Sequence, residues 1–255
     1  MKRSKLGKAI TLAKNCLDEE ALWGETEAFS AEKASPKKAP AKTPATVEKV
    51  KMPAAGACPE IELGATTFDS LREMVKNCRR CALGKSRLNA VFGSGSPKAK
   101  LMFIGEGPGF DEDHKGEPFI GRAGQLLTKI IEAIGLKRED TYIANIVKCH
   151  PMINPSDPET RGNDRPPSPE EMACCQPYLD RQIELIGPTV ICTLGNSSAR
   201  TILSTETGIS KLRGRFVEYK GIKLMPTYHP AALLRNPSLK KDVWEDMKLV
   251  REALK

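Results

Sequence analysis

Aromatic side chains are scarce: Phe, Tyr and Trp together make up 5% of the 255 residues. Hydrophobic residues reach 40%, enough for a core, which must then be mostly aliphatic. No stretch attains the ~18–20 continuous apolar residues of a membrane span, so no membrane partner is expected. The N-terminus, MKRSKLGKAITLAKNCLDEE, starts with positive charge but has no uninterrupted apolar core, because Lys14, Asp18, Glu19 and Glu20 follow too soon. A secretory leader is not expected, and the chain is assigned to the cytoplasm. There is no G-x-x-x-x-G-K-[ST] phosphate loop and no internal repeat.

The formal charge is +8 with a pI near 9.0, which suits a polyanionic partner without establishing one. Eight cysteines in a reducing compartment point to metal binding or catalysis before disulfides. Cys78 and Cys81 form a CxxC unit at the end of a helical pattern. Cys149 and one of Cys174 or Cys175 are the candidates to complete a four-thiolate site. Spacing does not separate zinc from a [4Fe–4S] cluster, since both accept four thiolates. Cys16 and Cys58 have no such context, and Cys192 in VICTLG reads as a small buried hydrophobe.

Residues 1–30 form an N-terminal extension with a short expected helix. Residues 31–66 form an Ala/Pro/Lys-rich linker that cannot bury enough apolar surface to offset its ordering entropy. The domain proper is expected at 67–255. It opens with FDSLREMVKNCRRC, whose apolar positions 68, 71, 74 and 75 are helical in period. Four apolar runs read as strands: KLMFIG (100–105), TYIANIV (141–147), TVICTLG (189–195) and IKLMPTY (222–228). Helical stretches at 124–135, 169–187 and 196–204 separate most of them. This alternation predicts an α/β fold with a mainly parallel sheet covered on both faces. Functional loops should lie beyond the carboxyl ends of its strands.

The loop after the first strand, GEGPGFDEDHKGEPFIGRAGQLL, carries the most chemistry. Gly105, Gly107 and Gly109 allow sharp turns and close approach of a ligand. Glu106, Asp111, Glu112 and Asp113 suit a divalent cation or a merely solvated turn. Phe119, isolated among polar residues, suits stacking on a flat ring. On this chemistry a metal-dependent phosphoesterase and a base-binding enzyme are equally served.

GEGPGFDEDHKGEPFIGRAG, NIVKCHP and YHPAALLR occur in one order, and together they resemble the family 4 (iron–sulfur) uracil-DNA glycosylases over residues 68–255. The resemblance implies a three-layer α/β/α sandwich with a short, mainly parallel central sheet. It implies a [4Fe–4S] cluster on Cys78, Cys81, Cys149 and Cys175, the last chosen because Cys175-Gln176-Pro177-Tyr178-Leu179 fits the family's C-x-PYL. The implied partner is uracil-containing DNA, single- or double-stranded. The protein would act as a monomer associated with the nucleoid, with a repair or replication partner for the N-terminal tail.

The resemblance also assigns roles. Phe119 would stack on the extruded base, Asn145 read its edge, Gly107 line its site and Glu112 crowd position 5 against thymine. His229 would stabilise the leaving uracil anion. Glu106, or else Asn163 of the GND segment, would orient water. Leu233 or Leu234 would wedge into the duplex, and Arg235 would hold phosphate. Without the other motifs, HPAALL reads as a helix start with core leucines.

Two features depart from the family. His150 stands where the family commonly has Arg, and the loop between Cys149 and Cys175 is about ten residues longer than the family pattern leads one to expect. Two rival readings remain at the level of sequence: a superfamily branch trapped covalently on abasic DNA, for which His150 would be the nucleophile, and a non-catalytic DNA-binding protein stabilised by zinc or a cluster.

Overall fold

The structure is a computed structural model and describes Cys58, residues 61–64 and residues 66–255. The N-terminal extension and most of the expected linker lie outside the described residues.

Six strands form one sheet: β1 (Ser94–Gly95), β2 (Leu101–Gly105), β3 (Tyr142–Asn145), β4 (Val190–Leu194), β5 (Val217–Tyr219) and β6 (Ile222–Thr227), in the order β1-β3-β2-β4-β6-β5. The four inner strands are parallel, and β1 and β5 are antiparallel edges. The inner strands are short apolar runs because helices cover both faces. Pro226 is tolerated in β6 because β5 pairs only as far as Leu224.

The helices are α1 (Phe68–Lys76), α2 (Leu83–Ser86), α3 (Phe110–Lys115), α4 (Arg122–Ala133), α5 (Pro169–Ile186), α6 (Asn196–Leu203), α7 (Ile209–Leu212), α8 (Pro230–Arg235) and α9 (Leu239–Ala253). Alternate strand residues separate two cores. Met102, Ile104, Ala144 and Ile191 pack with Leu179 and Ile183 of α5 and with Ile202 of α6. Leu101, Phe103, Ile143 and Cys192 pack with Leu127 and Ile131 of α4 and with Met247 of α9. The result is the expected α/β/α sandwich. No described helix is long and apolar enough to cross a membrane.

A third, smaller core joins α1 to α5 through Leu71, Val75, Phe92 and Tyr178. Ile61 and Leu63 pack against it, and the Thr66 carbonyl accepts from Arg181 at 3.0 Å. The expected linker runs to residue 66, yet these last residues already contribute apolar contacts to the domain.

Candidate active site

The carboxyl ends of the parallel strands deliver the chemistry to one rim. Glu106 follows β2, Asn145 ends β3, Ser197 lies two residues beyond the turn after β4, and His229 is two residues past β6. Between them is a cavity of about 500 Å³ lined by Glu106, Gly107, Glu112, Phe119, Asn145 and His229, among others. It opens beside a groove of about 810 Å³ that shares Glu106, His229 and Arg235 and adds Ser197 and Arg200.

Asn145 is 1% exposed, and its side-chain Oδ1 has no hydrogen-bond partner. A buried acceptor left open costs about 1–3 kcal/mol, so this atom can take a donor. Gly105 keeps the space clear. A Cβ there would lie 2.4 Å from Asn145 Oδ1 and 2.6 Å from Phe119 Cζ.

Phe119 holds a left-handed backbone with φ of 54°, which costs a non-glycine residue about 1–3 kcal/mol. Its neighbours impose it. Arg138 Nη2 donates to the Pro118 carbonyl at 2.7 Å. The amides of Ile120 and Gly121 donate to Glu112 Oε1 at 3.0 and 3.1 Å. Gly124 is required by contact, because a Cβ there would strike the Phe119 carbonyl. The other Glu112 oxygen accepts from the Gly109 amide at 3.2 Å. Glu112 therefore ties the glycine loop to the loop bearing Phe119, a positioning task that no sequence spacing announces.

His229 is half-buried and caps α8, its Nδ1 accepting from the Ala231 amide at 3.1 Å. That bond leaves the proton of a neutral ring on Nε2. Burial, with help from the Arg235 charge, lowers its pKa to about 4. His229 is thus a neutral donor at ordinary pH. Burial raises the Glu106 pKa, while a hydrogen bond from Ser197 lowers it. Ser197 was not among the sequence candidates; its place just after the third apolar run was the signal.

Other candidates separate. Leu233 is 1% exposed and belongs to the core, whereas Leu234 is 43% exposed. Arg235 lines both the cavity and the groove. Asn163 is not in the cavity lining. Its amide folds the long loop, accepting from the Asn154 amide at 2.7 Å and donating to the Asn154 and Asp157 carbonyls at 2.8 and 2.9 Å. His150 is buried with its Nε2 2.7 Å from Asp164 Oδ1, and it too is absent from the lining. The same loop docks on α3 through Arg161–Asp111 at 2.8 Å and His114–Glu159 at 3.0 Å.

Cys78, Cys81, Cys149 and Cys175 line one narrow cavity together with Cys174, Arg80, Arg87, Lys148 and Tyr178. All four are free thiols. Arg87 Nη1 donates to Cys149 Sγ at 3.0 Å. Burial raises the Cys149 thiol to about 12 and the Cys175 thiol to about 11. Among the described residues, no three His, Cys, Asp or Glu side chains converge closely enough to hold a single metal ion. Cys174 is joined to Cys58 in a disulfide with a Cα–Cα distance of 5.5 Å. This corrects the expectation that Cys58 has no context, and it adds a disulfide where metal binding or catalysis was expected first. The two residues lie 116 apart, a separation that spacing rules do not read. Cys192 is fully buried in β4, as expected.

Comparison with known proteins agrees with this geometry. The family model for the uracil DNA glycosylase superfamily matches residues 92–248. The type-4 uracil-DNA glycosylase of Sulfurisphaera tokodaii is 44% identical over 195 residues, covering 73% of this chain and 84% of that protein. The type-4 enzyme of Saccharolobus solfataricus is 45% identical over 196 residues, covering 73% and 86%. That of Thermotoga maritima is 42% identical over 192 residues, covering 74% and 95%. Matched by that family model over residues 92–248 and 42–45% identical to these three type-4 enzymes, the chain belongs to the uracil DNA glycosylase superfamily.

Proposed function

We propose that this chain excises uracil from DNA by hydrolysing its N-glycosidic bond and leaving an abasic site, the first step of base excision repair. The observation that carries the reading is the open Asn145 Oδ1 beside Phe119 and His229. Uracil presents an N3–H donor next to its O4 acceptor, which matches an amide's acceptor and donor side by side. Cytosine presents the reverse pair and would leave both groups mismatched, a discrimination that hydrogen bonding makes large.

The base must leave the stack to reach this cavity. Phe119 then supplies a stacking face, Gly107 lets the backbone approach, and Glu112 occupies the wall where a 5-methyl group would fall. As the glycosidic bond lengthens, negative charge gathers on uracil O2. His229 Nε2–H, already neutral and held by Ala231, donates there without a proton transfer. Such preorganised donors are worth about 3–4 kcal/mol in comparable sites. Glu106, steadied by Ser197, orients water and offsets the positive charge on the sugar. Arg235 sits where the groove would carry the phosphate chain, and exposed Leu234 is the wedge, since Leu233 is committed to the core.

Cys78, Cys81, Cys149 and Cys175 would hold a [4Fe–4S] cluster. The donor set fits: four free thiols on one cavity, with basic neighbours. The cluster would act as a cross-link between the segment after α1, the residue past β3 and α5, since base excision needs no metal. The buried setting of His150 gives no support to covalent trapping at that residue.

The test is incubation with single- and double-stranded oligonucleotides carrying one uracil, scored for free uracil and alkali-labile sites. Release of free uracil is expected. A folded protein that releases none from either substrate would sink the reading, and a denaturation-resistant adduct would favour the covalent branch.

A further inference from the structure

Lys148 is among the largest fully buried side chains of the domain, at 1% exposed. Uncompensated burial of an ammonium group is strongly unfavourable, so its surroundings must answer its charge. Its Nζ donates to the backbone carbonyl of Asn145 at 2.7 Å. It also lines the cysteine cavity. Its carbonyl, meanwhile, accepts from the Val91 amide at 2.8 Å.

One side chain thus touches both the cysteine cavity and the peptide unit that aims the Asn145 amide. We infer that Lys148 is a positioning residue for uracil selection, a buried cation balanced by the cysteine-held group that fixes the carbonyl of Asn145 and so couples that group to the base-reading edge. This rests on the proposed cluster. Thiolates that ligate iron supply the negative charge that free buried thiols lack. Coupling of this kind is reciprocal: what the cysteine site does to Asn145, an occupied base site does to the cysteines.

Iron content of the full-length wild-type protein is measured first and decides the cluster reading by itself. Lys148→Met is then compared with wild type for folding, uracil excision under single-turnover conditions, DNA affinity and excision of uracil relative to cytosine. A folded variant should lose about tenfold or more in excision rate with little change in DNA affinity, and its preference for uracil should narrow. Wild-type rate and preference in the folded variant would overturn the inference. If Lys148→Met does not fold, the iron-loaded wild type gives the second test. Saturating it with an oligonucleotide bearing 2′-fluoro-2′-deoxyuridine, which resists cleavage, should alter the visible circular dichroism of the bound iron. An unchanged spectrum would overturn the inference equally.

Discussion

The ring of Phe119 lies 5.5 Å from the imidazole of His229, centroid to centroid, with the planes tilted by 33°. A base sandwiched between them would need two stacking gaps of about 3.5–4 Å each, more than the space allows. In the proposed reading, uracil stacks on Phe119 alone and turns its O2 edge to His229.

Replacing His229 with Ala removes the donor to O2 and should lower the excision rate about 10²–10³-fold with a smaller effect on DNA binding. The pH dependence follows from the direction of its shift. A pKa lowered to about 4 means that the ring is neutral above that value and gains a proton only below it. Between about pH 5 and 8 the rate should show no inflection that belongs to His229. An inflection near the ordinary histidine value that vanishes in His229→Gln would contradict the assignment.

Gly105→Ala should fold yet fail. The added methyl group falls within 2.4 Å of Asn145 Oδ1 and 2.6 Å of Phe119 Cζ, so the two side chains that hold the base must move. Uracil release should fall by roughly two orders of magnitude, the effect of a misplaced reacting geometry, while the melting temperature shifts by a few degrees. Near-normal excision would mean that the base sits elsewhere.

Glu112→Ala strands the amides of Gly109, Ile120 and Gly121. Unfolding stability should drop by about 1–3 kcal/mol, read from denaturant midpoints. Phe119 should leave its left-handed conformation, with a loss of excision larger than the loss of stability explains. If Glu112→Ala merely admits thymine at an unchanged uracil rate, its role is steric alone.

Cys175→Ala should lose bound iron, whereas Cys174→Ala should keep it, because Cys174 is engaged with Cys58. Metal analysis after anaerobic purification settles both. Stoichiometric zinc in place of iron would overturn the cluster.

Much of this was legible in the chain. The inner strands appear as unbroken apolar runs because both of their faces are covered, and the three motif loops follow those runs directly. The edge strands β1 and β5 were missed, since two or three half-exposed residues leave no periodic trace. Helix α3 was hidden within an acidic turn, where Glu112 and Asp113 read as possible cation ligands. In the fold, Glu112 binds three backbone amides and Asp113 takes those of Leu88 and Asn89. Asn163 was credited with chemistry from the GND segment and Leu233 from within the YHPAALLR motif. The fold spends one on a loop and the other on the core. Contacts between distant segments, such as Arg138 with Pro118 and Cys58 with Cys174, have no local signature at all.

The most direct test of the account is a crystal structure with DNA carrying 2′-fluoro-2′-deoxyuridine. The extruded uracil should stack on Phe119, with its N3–H on Asn145 Oδ1 and its O2 against His229 Nε2. A uracil lodged instead in the neighbouring groove beside Arg200, with Asn145 Oδ1 still unpaired, would contradict the assignment of the site.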